Sequence, residues 1–492
     1  MLLLGIDVGT SSIKVSVVDS NTQQCIHSTQ FPEQESEIKS LQPGWAEQSP
    51  EMWWEHVRQA ILKSNKSGKY NSQDIAAIGI AYQMHGLVVV DKNQNVLRDS
   101  IIWCDSRAVK KGEEAFSGIG EEKSLSSLLN SPGNFTASKL AWVKENEPQI
   151  FERVDKVMLP GDFISMKLTG SITTTTSALS EGIFWDFKED KISVDIMRFF
   201  GFNESLIPTI NPVFASHGVL KKDIAEALLL KPGIPVAYKS GDQPNNALSL
   251  NVLNPGEVAA TAGTSGVIYG VSDKLTYDPQ SRVNTFAHVN YSTGEKRLGV
   301  LLCINGTGIL NRWVKDNLGS GKSYENINRE ASEIPLGSEG LRVLPFGNGA
   351  ERILNNKIIG AHFLNIDFNR HSQAHIFRAV QEGISFSFRY GLDIMRENGM
   401  NPSVIRAGRS NLFLSDLFTE AFVNATQVPV ELYNNDGSVG AALGAGIGVK
   451  AFISPDEAFK NIKPAKFIEP SQISTYEPIY QDWKEMLNKF LK

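Results

Sequence analysis

Cysteine is scarce. The 492 residues hold three, Cys25, Cys104 and Cys303, far apart and odd in number. That count excludes a disulfide framework and a zinc ribbon, and it fits a reducing compartment. No uninterrupted apolar run approaches the ~18 residues that suggest a membrane span. The apolar start at residues 1–4 lacks a basic leader and meets Asp7 almost at once, so no signal peptide is expected and the cytoplasm is the expected location. Positive charge is not in excess either. With 48 Lys and Arg against 54 Asp and Glu, the net charge of -6 gives no support for a nucleic-acid or anionic-membrane partner. Long linkers and low-complexity segments are also missing. The 41% hydrophobic composition is that of a globular protein, and 492 residues exceed one ordinary core, so two domains are expected.

What is present is organised around residues 2–19, LLLGIDVGTSSIKVSVVD. An apolar run leads into Gly5-Ile6-Asp7; after the small-residue turn Gly9-Thr10-Ser11-Ser12, alternation resumes at Ile13, Val15 and Val17. This predicts strand, tight turn, strand. A carboxylate at a strand end, followed by a glycine turn with hydroxyls, suits a metal-bound polyphosphate; an ordinary hairpin with a polar turn is the alternative. A second copy, AGTSGVIYGVSD, begins at Ala262 and repeats Gly-Thr-Ser at residues 263–265, 254 positions after the first. Asp273 follows its glycine by ten residues, as Asp19 follows Gly9. That spacing points to duplication of a whole domain, with two phosphate loops facing across a cleft.

Between and beyond the loops, Ser49-Pro50-Glu51 opens a helix with Trp53, Val57, Ala60 and Ile61 on its apolar side. A strand-like run at 75–82 ends in Gln83-Met84-His85-Gly86, where His85 could meet a substrate hydroxyl or sit as a hydrogen-bonded core residue. Another strand carries Trp103, which could stack on a sugar face, with Asp105 and Arg107 as pocket residues or a surface ion pair. A short strand at 234–238 feeds Ser240-Gly241-Asp242-Gln243-Pro244; Asp242 is the candidate chemical base, a plain turn the alternative. Residues 306–318 read as a helix. The Gly-Ser-Gly-Lys-Ser that follows is not a P-loop, because Asp316 stands where its first glycine should be and a helix precedes it. His371 and His375 have metal-compatible spacing but no third ligand, and read as a solvated helix face. Glycines 440, 444 and 448 leave one helix face bare for another backbone or an adenine ring.

Taken together, GIDVGTSSIKV, Trp53-Trp54, QMHG at 83–86, IIWCDSR, SGDQPNNA, AGTSG and GAALGAG resemble the FGGY carbohydrate kinases and, within them, the xylulokinase branch. The match runs along nearly the whole chain, and Met84-His85-Gly86 favours a ketopentose. The resemblance implies an α/β fold of two duplicated actin-like (ribonuclease-H-like) domains with a central cleft. Residues 1–247 would carry the sugar side and first phosphate loop, and 248–492 the second loop and adenosine side. It further implies ATP and Mg²⁺, with Asp242 as base and Asp7 and Asp242 at the metal. Thr10, Ser11, Thr264 and Ser265 would cradle phosphates. Met84, His85, Trp103, Asp242 and Gln243 would surround the sugar, and Gly308, Gly408 and Asn411 would border the nucleoside. This chain has Arg406-Ala407-Gly408-Arg409-Ser410 where the family usually has a glycine run. The implied partners are small molecules, with a homodimer left open. An actin-fold chaperone or sensor, and a sugar-binding regulator without ATP use, are the rival readings.

Overall fold

The computed structural model describes residues 1–492. The opening stretch forms β1 (Leu2–Val8) and β2 (Ile13–Asp19), paired antiparallel from Leu2↔Asp19 to Val8↔Ile13, with β3 (Cys25–Phe31) beside β2. Ser49 then caps α1 (Pro50–Asn65) by accepting from the Met52 N–H, and Pro50 occupies the first turn, where its missing N–H is no loss. Parallel strands β4 (Ile75–Tyr82) and β5 (Val236–Gly241) complete a five-stranded sheet in the order β3-β2-β1-β4-β5. Strand β5 runs straight into α2 (Asp242–Ser249).

The second half repeats this order. Strands β6 (Glu257–Ala262) and β7 (Gly266–Ser272) form the second hairpin, β8 (Asn284–Ala287) and β9 (Leu298–Ile304) extend the antiparallel side, and α3 (Gly308–Leu318) follows. The 25-residue α4 (Gln373–Glu397) leads to parallel strands β10 (Val404–Gly408) and β11 (Val430–Tyr433), and β11 leads to α5 (Gly437–Gly448). With edge strand β12 (Lys466–Ile468), the seven-stranded order is β8-β9-β7-β6-β10-β11-β12. Stripped of its edges, β9-β7-β6-β10-β11 has the strand order and directions of the first sheet, which is the duplication expected from the repeated loops.

Helix α5 packs against the sheet of the opposite half. A Cβ on Gly5 would lie 1.8 Å from the Ser438 carbonyl oxygen, one on Gly79 1.9 Å from that of Ala441, and one on Gly448 1.9 Å from that of Ala237. The bare glycine face therefore meets α2 at Gly440, the Tyr238 ring at Gly444 and strand backbone at Gly448, not an adenine ring. With α5 on one face of the first sheet and Trp53, Val57 and Ile61 of α1 on the other, β1 is apolar on both sides and loses strict alternation. Helix α2 packs on α5 and sends Ala247 into the core that holds Ala259 and Tyr269 of the second sheet. No helix is long and apolar enough to cross a membrane.

Candidate active site

The sequence-distant motifs converge because β1, β4 and β5 are parallel and in register, Val8↔Tyr82↔Gly241. Whatever follows each strand emerges along one edge: Gly9-Thr10, Gln83-Met84-His85 and Asp242. The crevice beyond the carboxyl ends of such strands is the usual binding edge. In the second half β6, β10 and β11 end together, so Gly263-Thr264, the segment from Gly408 to Asn411, and Asp436 share an equivalent edge.

Asp242 is the first residue of α2, so the alternative of a plain turn at Gly241-Asp242 does not hold. Burial pushes its carboxyl up to about 7; repulsion from Asp7 adds to this and hydrogen bonds from Gln243 oppose it. Asp7 is raised to about 6, first by burial, then by Asp436, against Lys14. Asp436, missed in the sequence, holds the place in the second half that Asp242 holds in the first. Its Oδ1 accepts the N–H groups of Ser438 and Val439 at 3.0 and 3.2 Å and the Ser438 hydroxyl at 2.7 Å, capping α5. Burial opposes its ionisation, but an ion pair with Lys14 and these hydrogen bonds hold it below the usual carboxylate range. A Cβ on Gly437 would lie 2.5 Å from Asp7 Oδ2, so glycine lets the start of α5 reach the Asp7 carboxylate. The sequence signal for Asp436 was an Asp before a glycine and serine at a helix start.

The two hairpin turns offer donors. No backbone hydrogen bond uses the N–H of Thr10, Ser11, Thr264 or Ser265. Successive free amides of this kind form an anion-binding concavity. The Thr10 hydroxyl is engaged, donating to Gln83 Oε1 at 3.0 Å and accepting from the Trp103 indole N–H at 3.0 Å. The polar edge of Trp103 is thus tied to the first loop while the residue as a whole is 54% exposed.

At the edge of the first sheet, Met84 is buried against Gly241, where a Cβ would meet its Cγ at 2.7 Å. His85 has φ +64, an uncommon value for a residue with a Cβ. Several bonds hold it there: its carbonyl accepts from Lys139 Nζ at 2.9 Å, its N–H donates to Glu181 Oε1 at 3.3 Å, and its Nδ1 lies 3.1 Å from the Glu181 carbonyl. A carbonyl only accepts, so Nδ1 carries the proton and Nε2 is left as an acceptor. The ring packs edge-on to Phe135 at 4.8 Å and beside Phe286 at 5.5 Å. Burial and then the Lys139 charge lower His85 to about 3, keeping it neutral. Lys139 itself is pulled down by burial to about 7, and burial pushes Glu181 well up. Neither stood out in the sequence: Lys139 reads as the polar position of an ordinary helix, and only the fold buries it.

Thr264, Gly308 and Asn411 line one cavity of about 380 Å³ together with Asn311, Arg312, Tyr324, Asn328 and Leu412. The N–H groups of Gly308 and Ile309 donate to the Gly263 and Thr264 carbonyls at 3.0 Å, fixing the loop against the start of α3. Ser265 and Gly408 are not among the residues that line this cavity. Asn311, Arg312, Tyr324 and Asn328 were missed because they lie on the polar faces of two helices, where sequence reading sees solvent. Arg406 is tied to Glu431 at 2.8 Å and Glu257 at 3.1 Å.

Two readings need correction. Asp105 and Arg107 are a buried pair, 2.7 Å apart, with the guanidinium 3.8 Å from the Trp45 ring centroid, because neighbouring Glu47 and Trp45 enclose them. His371 precedes α4 and accepts from the Asp367 N–H at 3.0 Å, while His375 is buried and takes part in the capping box with Ser372, so the pair forms no solvated helix face.

The model for the N-terminal domain of the FGGY family of carbohydrate kinases matches residues 2–249, and that for its C-terminal domain residues 258–449. The xylulose kinase of Lactococcus lactis is 30% identical, covering 98% of this chain and 96% of its own length. Among solved structures, the xylulose kinase of Rhodospirillum rubrum superposes with a TM-score of 0.88 at 23% identity, over 100% of both chains. The glycerol kinase of Plasmodium falciparum with ADP gives 0.90 at 20% identity, over 100% of this chain and 98% of its own. These last two establish a shared two-domain α/β fold. The full-length agreement of family, fold and paired loops means that this chain belongs to the FGGY family of carbohydrate kinases, enzymes that use ATP to phosphorylate sugars.

Proposed function

We propose that the protein transfers the γ-phosphoryl group of ATP to the terminal hydroxyl of D-xylulose, giving D-xylulose 5-phosphate and ADP. The observation that carries this reading is Asp242: a carboxylate at the cleft end of β5, held near neutrality, beside the buried Met84 and the His85 segment. A base poised near the working pH is what proton removal from a sugar hydroxyl requires. Asp242 takes that proton, the hydroxyl oxygen attacks phosphorus, and the bond to ADP breaks. His85 Nε2, bare and neutral, accepts from a sugar hydroxyl, while Gln243 and the exposed ring of Trp103 complete the sugar side. The free amides of Thr10, Ser11, Thr264 and Ser265 receive phosphate oxygens. Gly308 and Asn411 border the nucleoside with Tyr324, and Gly408 ends the strand that leads to Asn411. Residues 1–247 serve as the sugar lobe and 248–492 as the nucleotide lobe.

Mg²⁺ fits the donor set. Asp7 and Asp242 are oxygen donors that repel one another, and the nearby Lys14 is committed to Asp436. No group of three metal-binding side chains forms, which suits an ion that rests on one or two carboxylates, water and substrate phosphates. When bound, it neutralises charge on the phosphates. ADP release measured with ATP and a panel of ketoses and polyols tests the reading. D-xylulose should give the highest kcat/KM, and release that is indifferent to sugar would overturn it.

A further inference from the structure

Arg352 is a cation without a counter-ion. Its neighbours in the second half fix its backbone firmly. The preceding Glu351 is fully buried and accepts the N–H groups of Asn305, at 3.0 and 2.9 Å, and of Gly306, at 3.0 Å, just before α3. Ile353 and Leu354, which follow, are buried in the second core. Arg352 is therefore tied through Glu351 to the 305–309 segment, whose Gly308 and Ile309 N–H groups hold Gly263 and Thr264 of the second phosphate loop.

The side chain leans toward the sugar side. One guanidinium nitrogen donates to Asn284 Oδ1 at 2.8 Å. Asn284 is held in turn by Asn130 at 3.0 Å, and it shares a face of β8 with Phe286, whose ring lies beside His85. The Arg352 charge bears on His85 and on Cys303, and the Cys303 thiol also feels the Asp242 carboxylate. The other enclosed arginines are paired: Arg107 with Asp105 and Glu47, Arg378 with Glu382, Arg406 with Glu257 and Glu431. Arg352 makes no ion pair, and burial lowers its pKa with only the Cys303 thiol opposing. A desolvated cation is costly to keep unless an anion arrives to meet it. A neutral sugar brings no such charge; a phosphoryl group does, and the guanidinium fork matches its oxygens.

We infer that Arg352 is a catalytic residue of the phosphoryl transfer, donating N–H groups to the oxygens of the group in transit and to the phosphate of the product. This rests on the sugar-kinase reading above. As the phosphorus–oxygen bond to ADP breaks and that to the sugar oxygen forms, charge spreads over the peripheral phosphoryl oxygens. The sugar proton goes to Asp242, and Arg352 remains protonated throughout.

The test compares wild type with Arg352→Gln and Arg352→Lys, first by steady-state kinetics and then by calorimetry with D-xylulose, D-xylulose 5-phosphate and inorganic phosphate. The expected result for Arg352→Gln is a loss of kcat of about 10²- to 10³-fold. Its affinity for D-xylulose should stay within about 3-fold of wild type, while affinity for the phosphate ester should fall at least about 10-fold, a selective loss expected when one charged partner is removed. Arg352→Lys, with charge but no fork, should lie between. Equal weakening of sugar and sugar phosphate, or an unchanged kcat, would overturn the assignment. If Arg352→Gln melts early, Arg352→Lys carries the same comparison. A wild type that releases no ADP with any sugar would end the function reading, and the phosphate-binding difference would still decide Arg352.

Discussion

Replacing Asp242 with asparagine should make the unliganded protein more stable at pH 8. The carboxyl is raised from 3.8 to about 7 by burial, with Asp7 adding repulsion, and Asp7 itself is raised to about 6. The folded state therefore holds these protons more tightly than the unfolded chain. Stability from this pair is present below pH 4 and falls as pH rises through 6 and 7. A shift of about 3 units corresponds to about 4 kcal/mol at most, at ~1.4 kcal/mol per unit. Residual exposure and coupling to Asp7 reduce this, so about 2 kcal/mol should return when Asp242 is neutralised. Thermal unfolding of both proteins in chelator, without nucleotide, at pH 4, 6 and 8 reads the effect. The variant should melt about 2–5 °C higher at pH 8, with the difference closing toward pH 4. A gain that is the same at every pH, or a less stable variant at pH 8, would refute the electrostatic account of this carboxylate.

Gly5→Ala would put a methyl 1.8 Å from the Ser438 carbonyl oxygen; α5 must move off the first sheet, and a loss of about 3 kcal/mol in urea unfolding is expected. Tyr324→Ala should weaken ATP binding about 10-fold, since aromatic contacts are worth ~1 kcal/mol or more, and leave D-xylulose affinity unchanged in calorimetry. In ¹⁵N NMR, His85 should show a protonated Nδ1 and an unprotonated Nε2 down to below about pH 5, because Nδ1 faces the Glu181 carbonyl and burial and Lys139 lower the ring to about 3; titration near 6.5 would contradict the buried neutral state, and a protonated Nε2 the assigned tautomer.

Both hairpins were legible because their signal is local: period-two alternation broken by Gly-Thr-Ser. The Ser49 cap and the Trp53 stripe were legible for the same reason. The exchange of α2 and α5 between halves was not, although its trace was present in the glycines at 440, 444 and 448. Those glycines record a close approach without saying to what, and only the fold identifies Ser249, Tyr238 and Ala237 as the respective partners. In the candidate site, Asp242 stood out because glycine, aspartate and proline crowd a strand end. Asp436, Lys139, Glu181 and Arg352 were not, because a charged residue becomes informative only once its surroundings are known to be apolar or unpaired. The Asp105–Arg107 pair misled for the same reason, since nothing within the motif says that Trp45 and Glu47 fold over it.

The most direct test of the central claim is a ³¹P NMR time course of the protein with ATP, Mg²⁺ and D-xylulose, run beside Asp242→Asn. The account predicts that the ATP γ resonance is replaced one for one by a phosphate monoester coupled to two methylene protons, and that the variant forms it at least about 10²-fold more slowly. ATP converted to ADP and inorganic phosphate without the ester, or an ester formed equally well by the variant, would contradict it.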